Sequence, residues 1–264
     1  MAASSPLRYN FVHPNTGMPF YSRGMHLDVI DLHAFYSGPL GEAARRAIGQ
    51  KIRQIWPNLA GQSLLGLGYA TPFLLPFQNE AARTLALMPT SQGVMRWPAE
   101  GASLTGLVDE TQLPLDDASM DRILLVHSLE TSEHIRPALR ELWRVLAPGG
   151  KLLVIAPNRI GLWARSEATP FGHGRPFSRS QLTHLLRDCL FSPEQWSASL
   201  YMPPLGRMMM LRNPDGWERV GKLLWPRFAG VWMVEASKQI YVPIPEHSTA
   251  RIRQLITAQL QPRA

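Results

Sequence analysis

Apolar positions change their spacing twice between Met120 and Asn158, and the changes predict a complete α/β unit. Met120 to Val126 runs apolar through Ile123, Leu124, Leu125 and Val126, the continuous pattern of a strand buried on both faces. Ile135 to Leu146 then sets Ile135, Leu139, Leu142, Val145 and Leu146 at helical spacing and leaves Arg136, Arg140, Glu141 and Arg144 for water. Pro148, Gly149 and Gly150 stop that helix, and Lys151 to Ala156 reads as a second buried strand. A right-handed crossover between two parallel strands is the expected topology.

The same reading extends in both directions. Gly41 to Trp56 repeats Ala44, Ile48, Ile52 and Ile55 at helical spacing, and Ser63 to Leu67 is a first strand followed by a turn at Gly68 to Thr71. Phe73 to Ala82 is a candidate helix broken at Pro76; Arg83 to Met88 and Ser103 to Val108 supply further strands. Ser178 is a suitable N-cap for a helix reaching Leu190. Glu194 to Leu200 and Gly230 to Lys238 are expected as the last two strands, with an inserted helical segment between them.

The chain has 264 residues, 45% of them hydrophobic, enough for one large core. No segment approaches the roughly 20 apolar residues that span a bilayer, and the first residues lack a signal-peptide run, so a cytoplasmic protein is expected. Cys189 is the single cysteine, which excludes an internal disulfide and a thiolate zinc site; no metal is expected. Net charge is +7 with a pI near 10.0, but Lys and Arg are spread along the chain, and no nucleic-acid-binding module accompanies them. Nucleic acid is therefore not an expected partner.

Asp109, Glu110, Leu113 and Pro114, the acid Asp121 opening a strand, and Arg144, Leu146, Pro148, Gly149 and Gly150 at a turn together resemble the second half of a class I S-adenosylmethionine-dependent methyltransferase, in its type 11-like form. The resemblance covers about residues 45–240. It implies a Rossmann-like three-layer sandwich: a mostly parallel seven-stranded sheet, an antiparallel final strand, and a helical insertion near 202–228 between the last two strands. Residues 1–40 would be an N-terminal arm and lead-in, 41–240 the methyltransferase-like domain, and 241–264 a partly helical tail.

The resemblance also assigns a cofactor site. The family's first strand ends with an acid and a G-x-G-x-G turn; here the acid falls at Gly66, the first glycine is Gly68, and the others become Ala70 and Pro72. Proline has no amide hydrogen to donate. The family's ribose-binding acid falls at Met88, whose thioether is a weak acceptor, with Glu80, Thr90 and Gln92 as substitutes. The implied S-adenosylmethionine contacts are Gly66, Gly68, Tyr69, Asp109, Glu110 and His127, with Leu113 and Pro114 as an adenine wall.

Methyl transfer depends on alignment and requires a base only for a poorly ionised acceptor. No pattern singles out His127, His134, His173, Tyr36 or Tyr201 as that base, so no catalytic residue is assigned. The loop from Pro157 to Ser178, with Arg159, Arg165, Arg175, Trp163, Phe171 and His173, is placed to grip an anionic or aromatic acceptor or to fold over the sheet edge. The reading is a methyltransferase acting on an unidentified acceptor; the alternative is a non-catalytic member of the fold that binds another ligand or a protein.

Overall fold

A computed structural model describes residues 27–204 and 214–239. Residues 1–26 of the expected arm and lead-in, 205–213 of the expected insertion and the whole of the expected tail lie outside the described residues.

Among the described residues there are seven strands: β1 (Ser63–Gly68), β2 (Arg83–Pro89), β3 (Thr105–Val108), β4 (Met120–Val126), β5 (Leu146–Pro157), β6 (Phe191–Ser199) and β7 (Val231–Lys238). They form one sheet in the order β3-β2-β1-β4-β5-β7-β6. Neighbours from β3 through β5 pair in parallel, whereas β7 runs antiparallel to both β5 and β6. This is the Rossmann-like arrangement expected, including the antiparallel final strand. β5 starts earlier than its apolar run suggests, because Leu146 pairs with Met120 ahead of a register shift.

Among the described residues the helices are α1 (Val29–Ser37), α2 (Pro39–Ile55), the short α3 (Thr71–Leu74), α4 (Ile135–Val145), α5 (Arg179–Asp188) and α6 (Pro214–Leu224), the last lying between β6 and β7. Alternation along β1 divides the core. Leu64 joins the cluster beneath α1, α2 and α3, while Leu65 and Leu67 join the one beneath α4 and α5. Both faces are covered, so the central strands read as unbroken apolar runs. Each fully buried leucine, such as Leu64, Leu124 and Leu153, contributes about 1.5–3 kcal/mol of burial.

Polar clips fix the register of this frame. Asp121 Oδ2 accepts the Ser63 amide at 2.8 Å, joining the starts of β4 and β1. Arg144 holds Glu141, Asp117 and the Leu113 carbonyl together, and Glu141 accepts the Leu113 amide at 2.8 Å. Ser178 and Gln181 form a reciprocal capping box at α5. Cys189 is buried, as a structural thiol would be.

Candidate cofactor crevice

In an open α/β sheet, ligands bind at the carboxyl ends of the strands where the strand order reverses. Here that place lies between β1 and β4, with β2 and β3 beyond.

The turn leaving β1 requires glycine at its first position. Gly68 has φ +81°, and a Cβ there would stand 2.2 Å from the Val126 carbonyl oxygen, so only glycine fits. Gly66 points elsewhere. A Cβ on it would meet Ala70 Cβ and Leu74 Cδ1 at 2.7 Å, so α3 takes the space a carboxylate at this position needs. A carboxylate at Gly66, where the resemblance puts the family's first acid, would collide with the packing of α3.

The crevice itself is filled by the chain's own side chains. Tyr69, Met88, Gln92, His127 and Ser128 are all buried. Tyr36 of α1 stacks on Tyr69 with ring centroids 5.7 Å apart and planes 19° apart, and its Oη lies 2.8 Å from His127 Nε2. His127 Nδ1 is 3.1 Å from Glu130 Oε1, and Phe171 packs on the imidazole at 4.8 Å. Burial first, and the Glu130 carboxylate second, push the Tyr36 phenol well above its ordinary value; burial pushes Tyr69 up to about 12. Gln92 Nε2 donates to the His127 carbonyl at 2.8 Å, while Gln92 Oε1 and Glu130 Oε2 are buried with no hydrogen-bond partner among the described residues.

His127 pays a backbone cost to sit there. Its φ of +50° lies in the left-handed region, which costs a histidine on the order of 1 kcal/mol or more and persists only where surroundings enforce it. Tyr36, Glu130 and Phe171 do so. α1 is anchored in turn by Asp28, which caps its amides, and by the Val29 amide, which donates to the Gln92 carbonyl at 2.8 Å.

The adenine end is less covered. Asp109 is exposed, and its Oδ1 accepts the Thr111 amide at 2.8 Å and hydroxyl at 2.7 Å; the hydroxyl bond is the larger cause holding its carboxyl below the usual range. Glu110 bonds Ser132, and burial raises its carboxyl. Leu113 is buried as a wall should be. Glu80 is no ribose ligand in this arrangement: Arg53 holds it at 2.7 Å, and it also accepts the Leu59 amide.

The β5–α5 loop divides the residues grouped by sequence. Trp163 is fully buried and donates to the Met202 carbonyl at 2.7 Å, Phe171 is core, and His173 Nε2 lies 2.9 Å from the Glu167 carbonyl oxygen. Among the described residues no group of three His, Cys, Asp or Glu side chains is placed to hold a metal ion, and no helix is long and apolar enough to cross a membrane.

A family model described as a methyltransferase domain matches residues 68–154, the stretch from the Gly68 turn through most of β5. Over these residues the chain is similar to methyltransferase domains, in keeping with its resemblance to the class I S-adenosylmethionine-dependent family. The chain is 36% identical over 85 residues to a probable S-adenosylmethionine-dependent methyltransferase of Mycolicibacterium smegmatis, covering 31% of this chain and 33% of the relative. It is 41% identical over 109 residues to the ubiquinone/menaquinone biosynthesis C-methyltransferase UbiE of Rubrivivax gelatinosus, covering 40% and 43%. The chain thus spans less than half the length of these two relatives. Among solved structures, a S-adenosylmethionine-dependent methyltransferase of Thermotoga maritima, described as a possible histamine N-methyltransferase, shares the fold with a TM-score of 0.54 and 17% identity, over 80% of this chain and 96% of that one.

The family's cofactor is S-adenosylmethionine. With α1 seated, the residues of this crevice do not fit it: Tyr36 covers Tyr69 and His127, Met88 is buried, and Ala70 and Leu74 crowd any side chain at Gly66. Gly68, Tyr69 and His127 come together at one place, with Asp109 and Glu110 at its far end and Gly66 beneath α3.

Proposed function

We propose that this chain is a S-adenosylmethionine-dependent methyltransferase whose crevice is closed by α1 and opens when α1 leaves. One observation carries the reading. The ring that covers Tyr69 and His127 belongs to α1, a nine-residue helix ahead of the parallel frame, joined to α2 through the extended Gly38. Moving α1 would free the Gly68 turn, Tyr69 and His127 without disturbing a strand. A closed state lowers apparent affinity by the fraction of molecules that are open.

Calorimetric titration with S-adenosylhomocysteine tests it. Tyr36→Phe removes the bond that latches α1, so it should bind about fivefold more tightly than the wild type. Absence of binding to both proteins sinks the reading. Aromatic quinone-type compounds are the acceptors to try first, because the Rubrivivax relative is named for ubiquinone and menaquinone biosynthesis.

A second reading, a non-catalytic member of the fold, is favoured by one specific observation. The positions of both family acids are apolar and sealed, Gly66 against Ala70 and Leu74, and Met88 with no exposed surface.

A further inference from the structure

A cavity of about 460 Å³ opens beside the crevice, between the start of α4, the exit of β5 and the first turns of α5. It has the size of a small-molecule site. Ile135, Phe177 and Leu185 give it an apolar side, and Arg136, Arg159 and Arg175 a cationic one.

The arginines come together through backbone pairing. Asn158 and Phe177 form a parallel bridge, and the Arg159 amide donates to the Phe177 carbonyl at 3.0 Å. The Arg175 amide donates to the Glu130 carbonyl at 2.7 Å. A Cβ on the preceding Gly174 would stand 2.4 Å from that same oxygen, so the approach of the two loops is fixed by glycine. Arg136 is paired with Asp188 at 2.9 Å, whereas no side-chain hydrogen bond or ion pair holds Arg159 or Arg175 among the described residues. Glu133 is the acid on the cavity wall. Counting Asp188 and Glu133 against the three arginines still leaves a surplus cation.

We propose that this cavity binds a phosphate monoester with an aromatic or alkyl body, the phosphoryl group held by Arg159 and Arg175 and the body lying on Ile135, Phe177 and Leu185. The donor count favours phosphate over carboxylate. One guanidinium satisfies both oxygens of a carboxylate, while two guanidiniums suit the three terminal oxygens of a phosphoryl group. α4 also begins without a side-chain cap or an acidic residue in its first turn, which adds to the positive potential. The site does not rest on the methyltransferase reading, since none of its residues is a proposed cofactor contact.

Calorimetric titration of the full chain with phenyl phosphate, inorganic phosphate and benzoate tests the proposal. Phenyl phosphate should bind most tightly, since inorganic phosphate lacks the body and benzoate lacks the third oxygen. Arg159→Ala and Arg175→Ala should each weaken phenyl phosphate by about tenfold or more. Both side chains are exposed and unpaired among the described residues, so these variants should melt as the wild type does. Arg45→Ala, on α2, should bind normally. Equal binding of benzoate, undiminished binding by both cavity variants, or an equal loss in Arg45→Ala would overturn it.

Discussion

The phenol of Tyr36 and the imidazole of His127, 91 residues apart in the chain, meet at 2.8 Å inside the sheet's strand-tip crevice. With Nδ1–H donating to Glu130 and Tyr36 O–H donating to Nε2, both ring nitrogens are satisfied. Tyr36→Phe leaves Nε2 buried and unpaired, so it should cost about 1–2 kcal/mol of stability, read as a shifted urea midpoint. The same variant is the one expected to bind S-adenosylhomocysteine more tightly, which no simple loss of structure would produce.

Glycines separate by environment. Gly68→Ala must place a Cβ against the Val126 carbonyl at positive φ, and a loss of about 2 kcal/mol or more is expected in denaturant unfolding. Gly49, inside α2 with open space around it, should instead gain about 0.5–1 kcal/mol on substitution by alanine.

Gly66→Asp puts back the acid that the family carries at the end of the first strand. It should not create a cofactor site. A Cβ at this position already meets Ala70 and Leu74 at 2.7 Å, and the carboxylate would be sealed from water, so a loss of at least about 2–3 kcal/mol and unimproved cofactor binding are expected. A stable variant with tighter binding would show that α3 yields easily.

Glu141 provides the pH dependence. Bonding to Arg144, ahead of the Leu113 amide, holds its carboxyl below the ordinary 4.5. An acid depressed on folding adds stability above its unfolded value and loses it as the pH falls through the lowered one. Glu141→Gln should therefore be less stable than the wild type by about 1 kcal/mol near neutrality, the difference shrinking as acidification proceeds below about 4.5. Parallel melts across the acid range measure this directly.

The frame was legible in the sequence because burial on both faces leaves an unmistakable pattern. β4 falls where its apolar run lies, and Ser178 caps α5 as its position suggests. α1 was not legible as a helix. Ile30 points to water while Val29, Leu32 and Tyr36 are buried, so apolar residues do not keep to one stripe. The closed crevice was beyond reach for a different reason: a carboxylate's absence at Gly66 and Met88 can be read from the chain, but what fills the space is a contact between Tyr36 and residues far along it. The loop carrying Trp163 and Phe171 could be read either as gripping an acceptor or as folding over the sheet edge; both rings lie in the core, and Arg159 and Arg175 line a cavity outside it.

β7 is last among the strands in chain order yet lies one place in from the sheet's margin, between β5 and β6. On the ribosome, β5 must therefore wait for Val231–Lys238 to emerge before its outer amides and carbonyls are answered. A nascent chain stalled before Val231 would offer a long apolar strand with one side open, the kind of template on which chains self-associate. Completion of the sheet, and with it resistance to aggregation during synthesis, is deferred to this late antiparallel strand.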